Sequence, residues 1–220
     1  MEPVTLDQAT KILSVFGETS RGQVQDVLES GLSADLRDAN LNGPIDRDAV
    51  RRLLGLKPLN LLLLEEIGTV AIPAIAERFV ARYKFVFGYS EEDPVKISFL
   101  HFNFKQWLQG KTEEPMVATE LRYAKLVEAS IDGPILKELG DKAETTLAHI
   151  WVLMEHQSNR ENGVLLTNGQ ANIFYVRDAD GVLRMAGVRW LSGGWNVIAH
   201  SVVRRQRRWH GGERVFSRNS

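Results

Sequence analysis

The chain has 220 residues, 44% of them hydrophobic and 25% charged, with a net charge of −1, a composition ordinary for a globular protein. It contains no cysteine, which excludes disulfides, thiolate nucleophiles and cysteine-ligated metal centres. Near-neutral charge excludes strong steering of the whole molecule toward nucleic acid or membrane, and no apolar run approaches the roughly 20 residues of a membrane helix. We therefore expect a soluble cytoplasmic protein.

Residues 1–58 predict a helical segment. Apolar residues recur at helical spacing from Leu6 to Phe16, and glycine-containing breaks follow near residues 17, 31, 43 and 55. Four short helices joined by brief turns fit this pattern. Such a bundle resembles the parts of a helix-turn-helix, but few outward basic residues are present, so plain packing is favoured over DNA recognition.

From residue 59 the hydrophobic period changes, and 59–220 is predicted to form an α+β domain. Apolar side chains alternate over residues 79–87 and 95–99, which predicts two strands. Residues 119–130 fit a strand or a helix. Ala143–Gln157 is the clearest helix of the chain, since Leu147, Ile150, Trp151 and Met154 line one broad face.

The C-terminal part predicts a three-stranded antiparallel meander over residues 171–203. Asp180-Gly181 is a strong hairpin signal between Asn172–Arg177 and Val182–Trp190, and Gly193-Gly194 supplies a second turn. The expected fold is thus α+β: a helical N-terminal segment, a mainly antiparallel sheet, one long packed helix and this meander.

The C-terminal part also carries a resemblance. NGQANIFYVRDADGVLR (168–184), Trp190, GWNVIAHSV (194–202), Trp209 and RVFSRNS (214–220) resemble the tail of uncharacterised bacterial proteins from environmental, candidate-phylum genomes. Segments at 28–40, 46–56, 67–74 and 130–140 look like parts of the longer members. The resemblance implies no activity. In such tails the segment after the third strand is usually neutral or acidic, whereas here it is arginine-rich.

Three histidines are weak catalytic candidates: His149, His156 and His200. His149 and His156 lie seven residues apart, two turns along one helix, and about 10 Å separates them. Two ligands of one metal prefer a spacing of three or four residues, so we predict no metal site and no cofactor. The acidic doublets, among them Glu113-Glu114, lie beside turns and are expected to be solvated.

The basic, aromatic C-terminal end is the other candidate site. Residues 181–220 carry eight arginines and one acid, whereas the rest of the chain carries 19 basic and 27 acidic residues. Aromatic platforms beside arginines are typical of single-strand nucleic-acid binders. The weak binding candidates are Trp190, Trp195, Arg204, Arg205, Arg207, Arg208 and Trp209. Arg184 and Arg189 have opposite parity on their strand, so they point to different faces.

Three hypotheses for function follow. The favoured one is a soluble binding or interaction protein without catalysis, with a protein partner or self-association and an exposed apolar patch. An alternative is a small-substrate hydrolase, which requires a pocket where a histidine meets a carboxylate. The third is nucleic-acid binding through the arginine-rich end, with steep salt dependence. Nucleophile-elbow and phosphate-loop motifs are absent from the sequence, so no reaction is specified.

Overall fold

A computed structural model describes residues 62–88, 93–203 and 208–219, together with Gln25, Asp26 and Glu29. The chain divides into two units, Met1–Asn60 and Leu61–Ser220. The three described residues of the first unit are helical. The remainder of the helical segment predicted over 1–58 lies outside the described residues.

A seven-stranded sheet forms the centre of the second unit. Its strands are β1 (Leu64–Ile72), β3 (Ile97–Leu100), β5 (Thr119–Leu126), β6 (Asn172–Arg177), β7 (Leu183–Leu191), β8 (Gly194–Ser201) and β9 (Arg214–Arg218). They lie side by side in the order β1-β5-β9-β6-β7-β8-β3. Two further strands, β2 (Phe79–Val80) and β4 (Thr112–Glu113), pair with each other. Strands β6, β7 and β8 pair antiparallel in succession through two tight turns.

The sheet is mixed, so the prediction of a mainly antiparallel sheet is wrong. Strand β3 pairs parallel with β8, and β6 pairs parallel with β9. Strand β9 inserts between β5 and β6, and this placement has no local signal in the sequence. The central strand β6 is buried on both faces from Asn172 to Val176, as strands in parallel or covered sheets are.

Four short helices accompany the sheet in the described residues: α1 (Ala81–Lys84), α2 (Phe102–Trp107), α3 (Asp132–Leu139) and α4 (Leu147–His156). The single long helix predicted over Ala143–Gln157 is therefore wrong. Gly140–Ala143 is a separate 3₁₀ turn, and α4 begins after Thr146, whose side chain caps it. Gln157 follows the last residue of the helix. Its side-chain Nε2 donates to the carbonyl of Leu165, and its Oε1 accepts from the amide of the same residue.

The strand predicted over residues 79–87 is also replaced, by the two-residue β2 and by helix α1. Ala81 and Phe85 are buried as alternation requires, but Tyr83, which lies between them on the same predicted face, is 68% exposed. A helical turn places residues four apart on one side and directs the residue between them elsewhere. Phe85 packs against Phe104 and Trp151 in this arrangement.

Apolar side chains cover both faces of the sheet. On one face, Phe174, Val176 and Trp195 pack in a core that includes the side chains of α4. On the other face, Ile173 and Tyr175 pack with Ile135 of α3 and with Trp209. This alternation along β6 explains its unbroken apolar sequence. Among the described residues, none of the helices has the length and apolar character needed to cross a membrane.

Candidate functional site

A cavity of about 380 Å³ lies where β5 begins and β9 ends, beside the start of α4. It is lined by Met116, Val117, Thr119, Glu144, Thr145, Thr146, His149 and Arg218. Three separate parts of the chain thus meet here: the segment entering β5, the turn before α4, and the last strand. A cavity of this size falls within the range of small-molecule sites. We call it the His149 cavity.

The start of α4 positions the histidine. His149 N donates to Thr146 Oγ1 at 3.2 Å, and Thr146 N donates to His149 Nδ1 at 3.2 Å, which together form a capping box. Glu113 accepts from the two preceding amides, Leu147 N at 3.0 Å and Ala148 N at 2.9 Å. Side chains therefore accept hydrogen bonds from the backbone amides of the first turn of α4, which have no partner within the helix. The same contacts fix the orientation of the imidazole ring.

These contacts determine the protonation state of His149. Because Nδ1 accepts a hydrogen bond from a backbone amide, the neutral ring carries its proton on Nε2. Burial lowers the pKa of His149 to about 4, and the nearby charge of Glu113 raises it only in part. His149 is 3% exposed, and its Nε2 is buried with no hydrogen-bond partner among the described residues. The ring is thus a neutral N–H donor that lacks an acceptor in the described protein.

Two charged side chains line the cavity, Glu144 and Arg218, and they differ in their partners. The Glu144 carboxylate accepts from Arg177 Nε at 2.9 Å, so its charge is balanced. Arg218 donates to the backbone carbonyl of Asp141, a contact that leaves the guanidinium charge in place. The cavity lining therefore includes the exposed cation Arg218 and the buried side chain of His149.

A second, more open cavity of about 770 Å³ adjoins the first. Its lining is Ala71, Ile72, Pro73, Ala118, Thr119, Glu120, His156 and Asn219. Thr119 lines both cavities, and Arg218 of the first precedes Asn219 of the second. His149 and His156 lie on the same helix, one at each cavity. We call this second space the His156 cavity; its walls at Ala71–Pro73 and Ala118 are mainly apolar.

The third histidine candidate lies elsewhere. His200 is on β8, and its ring centroid is 5.1 Å from that of His101, the residue that caps α2. The structure therefore does not bring the three predicted histidines together. Among the described residues, no group of three or more histidine or acidic side chains is placed to hold a metal ion. In His149, moreover, the Nε2 proton occupies the position that a metal would need.

The aromatic candidates of the C-terminal part are buried. Trp190 and Trp195 face each other across the β7–β8 hairpin, with ring centroids 5.2 Å apart in a T-shaped arrangement. Trp209 is fully buried, and its Nε1 donates to Asp132 at 2.8 Å. None of the three rings offers an open face on which a base could stack.

The two arginines of strand β7 form ion pairs. Arg184 Nε is 2.7 Å from Asp178, and Arg189 pairs with the buried Glu213 at 3.0 Å. Arg208 is exposed. Arg204, Arg205 and Arg207 lie outside the described residues, so the arginine-rich end stays a prediction.

Sequence reasoning missed most of the His149 cavity. The sequence predicts a solvated Glu113, but this side chain is buried. No local pattern distinguishes Glu144 or Arg218. One signal was present: Thr146 is followed three residues later by His149, at the start of an apolar run. That is the spacing of a capping box, although a glutamate or glutamine usually occupies the later position.

Comparison of the chain with protein-family models, curated proteins and solved structures finds no match.

Proposed function

We propose that this protein binds a small molecule in the His149 cavity and does not transform it. The observation that supports this proposal is the buried Nε2–H of His149, which has no acceptor among the described residues. An unpaired buried donor costs about 1–3 kcal/mol. A ligand oxygen that reached Nε2 from the cavity would accept this hydrogen bond and remove that cost.

The same contacts disfavour use of His149 as a general base. A hydrolase would need a free imidazole lone pair, close to a carboxylate that orients the ring. His149 and Glu144 do line one cavity, as that hypothesis requires. However, the lone pair on Nδ1 is directed to the backbone of Thr146, and Nε2 carries the proton. Burial also keeps the ring neutral at physiological pH. A fixed donor suits recognition better than proton transfer.

The test uses 8-anilinonaphthalene-1-sulfonate, a fluorescent probe with both an apolar body and acceptor oxygens. We expect it to bind the wild-type protein, and His149→Met to weaken binding about tenfold, the value of one hydrogen bond to a charged acceptor. Thr119→Trp, which obstructs both cavities without altering the helix cap, is expected to weaken binding as well. His210→Met serves as the control because His210 is exposed and lines neither cavity.

A parallel assay distinguishes binding from catalysis. The wild-type protein and His149→Met are incubated with p-nitrophenyl acetate, and release of nitrophenolate is followed. We expect equal, background rates. Turnover that disappears in His149→Met would establish the hydrolase instead. Equal probe affinity in wild type, His149→Met and Thr119→Trp would show that the cavity is not the binding site.

A further inference from the structure

The geometry points to a carboxylate with an apolar tail as the ligand, its head in the His149 cavity and its tail in the His156 cavity. This inference rests on the proposed function, because it names the class of molecule that the same site binds.

At the head end, donors and positive charge coincide. His149 contributes a buried neutral N–H. Arg218 contributes a guanidinium that donates a hydrogen bond to the uncharged backbone carbonyl of Asp141. Glu144 is balanced by Arg177, and Glu113 is balanced by Lys111 at 3.0 Å. Of these charged side chains, Arg218 alone forms no ion pair with an acid in the described part of the chain. A carboxylate supplies both the acceptor for Nε2 and the counter-charge for Arg218.

At the tail end, the lining of the His156 cavity is mainly apolar. Ile72, Pro73, Ala71 and Ala118 supply an apolar surface in the His156 cavity. The carboxylate of Glu120, which also lines that cavity, accepts hydrogen bonds from Thr69 and Asn219. An aliphatic chain would lose water-exposed surface there, at a gain proportional to its length. A charged tail would gain no such benefit.

The two ends are joined by shared residues. Thr119 lines both cavities, and the consecutive residues Arg218 and Asn219 contribute one to each. His149 and His156 are seven residues apart on α4, which corresponds to about 10 Å along the helix axis. An extended medium-length chain such as that of octanoate spans a distance of this order. Octanoate is therefore the probe of choice.

The experiment measures displacement of 8-anilinonaphthalene-1-sulfonate and direct calorimetric binding for octanoate, butyrate and octylamine. We expect octanoate to bind and to displace the dye. Butyrate shares the head and lacks most of the tail, so its affinity should be at least tenfold lower. Octylamine has the tail and the opposite charge, so it should not bind measurably.

Two variants separate head from tail in the intact chain. Arg218→Gln should weaken octanoate about tenfold, while Ala118→Phe, which fills the tail space, should weaken octanoate but leave butyrate unchanged. Arg208→Gln, an exposed arginine outside both cavities, is the matched control and should change neither.

Each contrary result has one meaning. Octylamine binding as tightly as octanoate would overturn the carboxylate assignment, and butyrate binding as tightly as octanoate would overturn the tail assignment. If the dye binds through His149 but octanoate does not displace it, this inference fails and the proposed function stands. If the dye itself is insensitive to His149→Met and Thr119→Trp, the proposed function fails as well.

Discussion

Thr146 and His149 cap helix α4 reciprocally, each donating its backbone amide to the other's side chain at 3.2 Å. The cap satisfies two amides and fixes the histidine tautomer at the same time. A structural feature thereby determines the chemistry of the cavity: the ring has only an N–H to offer. Protonation of His149 would break the bond from Thr146 N and place a charge in a buried site.

The protein should therefore lose stability as the pH falls. The pKa of His149 is about 4 in the folded chain and 6.5 in the unfolded chain. The unfolded state binds the proton first, so the contribution of neutral His149 is complete above pH 6.5 and is lost between pH 6.5 and 4. At pH 5 we expect the free energy of unfolding to be about 2 kcal/mol lower than at neutral pH. Urea denaturation of the wild-type protein at pH 7.5 and 5.0 measures this difference.

His149→Met should reduce this pH dependence, whatever its effect on absolute stability. His156→Gln is the control variant, since it replaces an exposed histidine on the same helix. An identical decrease in stability between pH 7.5 and 5.0 in wild type and His149→Met would contradict the assignment.

The neighbouring acids Glu113 and Glu114 should differ sharply on substitution. Glu113 is buried and accepts from two α4 amides as well as from Lys111. Glu114 pairs with Arg78, and both side chains are largely exposed. We expect Glu113→Gln to cost about 2 kcal/mol, because the amide group turns a donor toward one helix N–H.

Glu114→Gln is the matched control and should change the free energy of unfolding by less than about 0.5 kcal/mol, as exposed pairs do. Thermal unfolding of both variants checks the difference. Equal effects would mean that Glu113 does not stabilise the start of α4.

This pair of residues also shows why the cavity could not be derived from sequence. Both acids occupy one doublet beside a turn, and nothing local distinguishes them. Glu113 bonds an amide 34 positions later in the chain, a contact set by the packing of β4 against the start of α4. The hydrogen bond of His149 is local, so the Thr-x-x-His spacing was readable, whereas Arg218 joins the cavity only because β9 pairs with β5.

The fold likewise has parts that local sequence signals predict and parts that they do not. The hairpin at Asp180-Gly181 depends on neighbouring residues, and the paired strands occur where that signal places them. The parallel pairing of β6 with β9 and of β3 with β8 depends on contacts between distant segments. Periodicity identifies a strand, but it does not identify its neighbours in the sheet. The sequence pattern therefore does not predict the strand order or the two parallel pairings of the sheet.

The Trp190–Trp195 pair should stabilise the β7–β8 hairpin. The two residues are direct cross-strand partners, and Trp195 is fully buried. Trp195→Ala should cost about 3–5 kcal/mol, as truncation of a buried aromatic does. Trp195→Phe should cost less, because it keeps a ring and removes an Nε1 donor that has no partner among the described residues.

Near-ultraviolet circular dichroism gives an independent readout of the same pair. Coupled indoles 5.2 Å apart produce a signal that either Trp190→Phe or Trp195→Phe should remove. Trp107→Phe is the control, because Trp107 lies on α2 outside this pair. Persistence of the signal in both Trp190→Phe and Trp195→Phe would contradict the cross-strand contact.

Asp132 should be a strong determinant of stability on the opposite face of the sheet. Its Oδ1 accepts from Tyr175 Oη at 3.0 Å and from Trp209 Nε1 at 2.8 Å, and both rings are buried. Asp132→Ala would leave two buried donors without this acceptor, at a cost of about 2–4 kcal/mol. Asp132→Asn keeps an oxygen at the same position and should cost less. Asp180→Asn, in an exposed turn, is the control.

Tyrosinate absorbance tests the same contact at alkaline pH. Burial, and then the charge of Asp132, raise the pKa of Tyr175 well above its usual value near 10. The folded chain keeps the phenol proton that the unfolded chain releases, so this contribution to stability is present below pH 10 and is lost as the pH rises further. Wild type should withhold one tyrosine from titration until the protein unfolds. In Asp132→Asn that tyrosine should titrate at lower pH, because the neighbouring negative charge is gone. An unchanged titration would show that Asp132 does not raise the pKa of Tyr175.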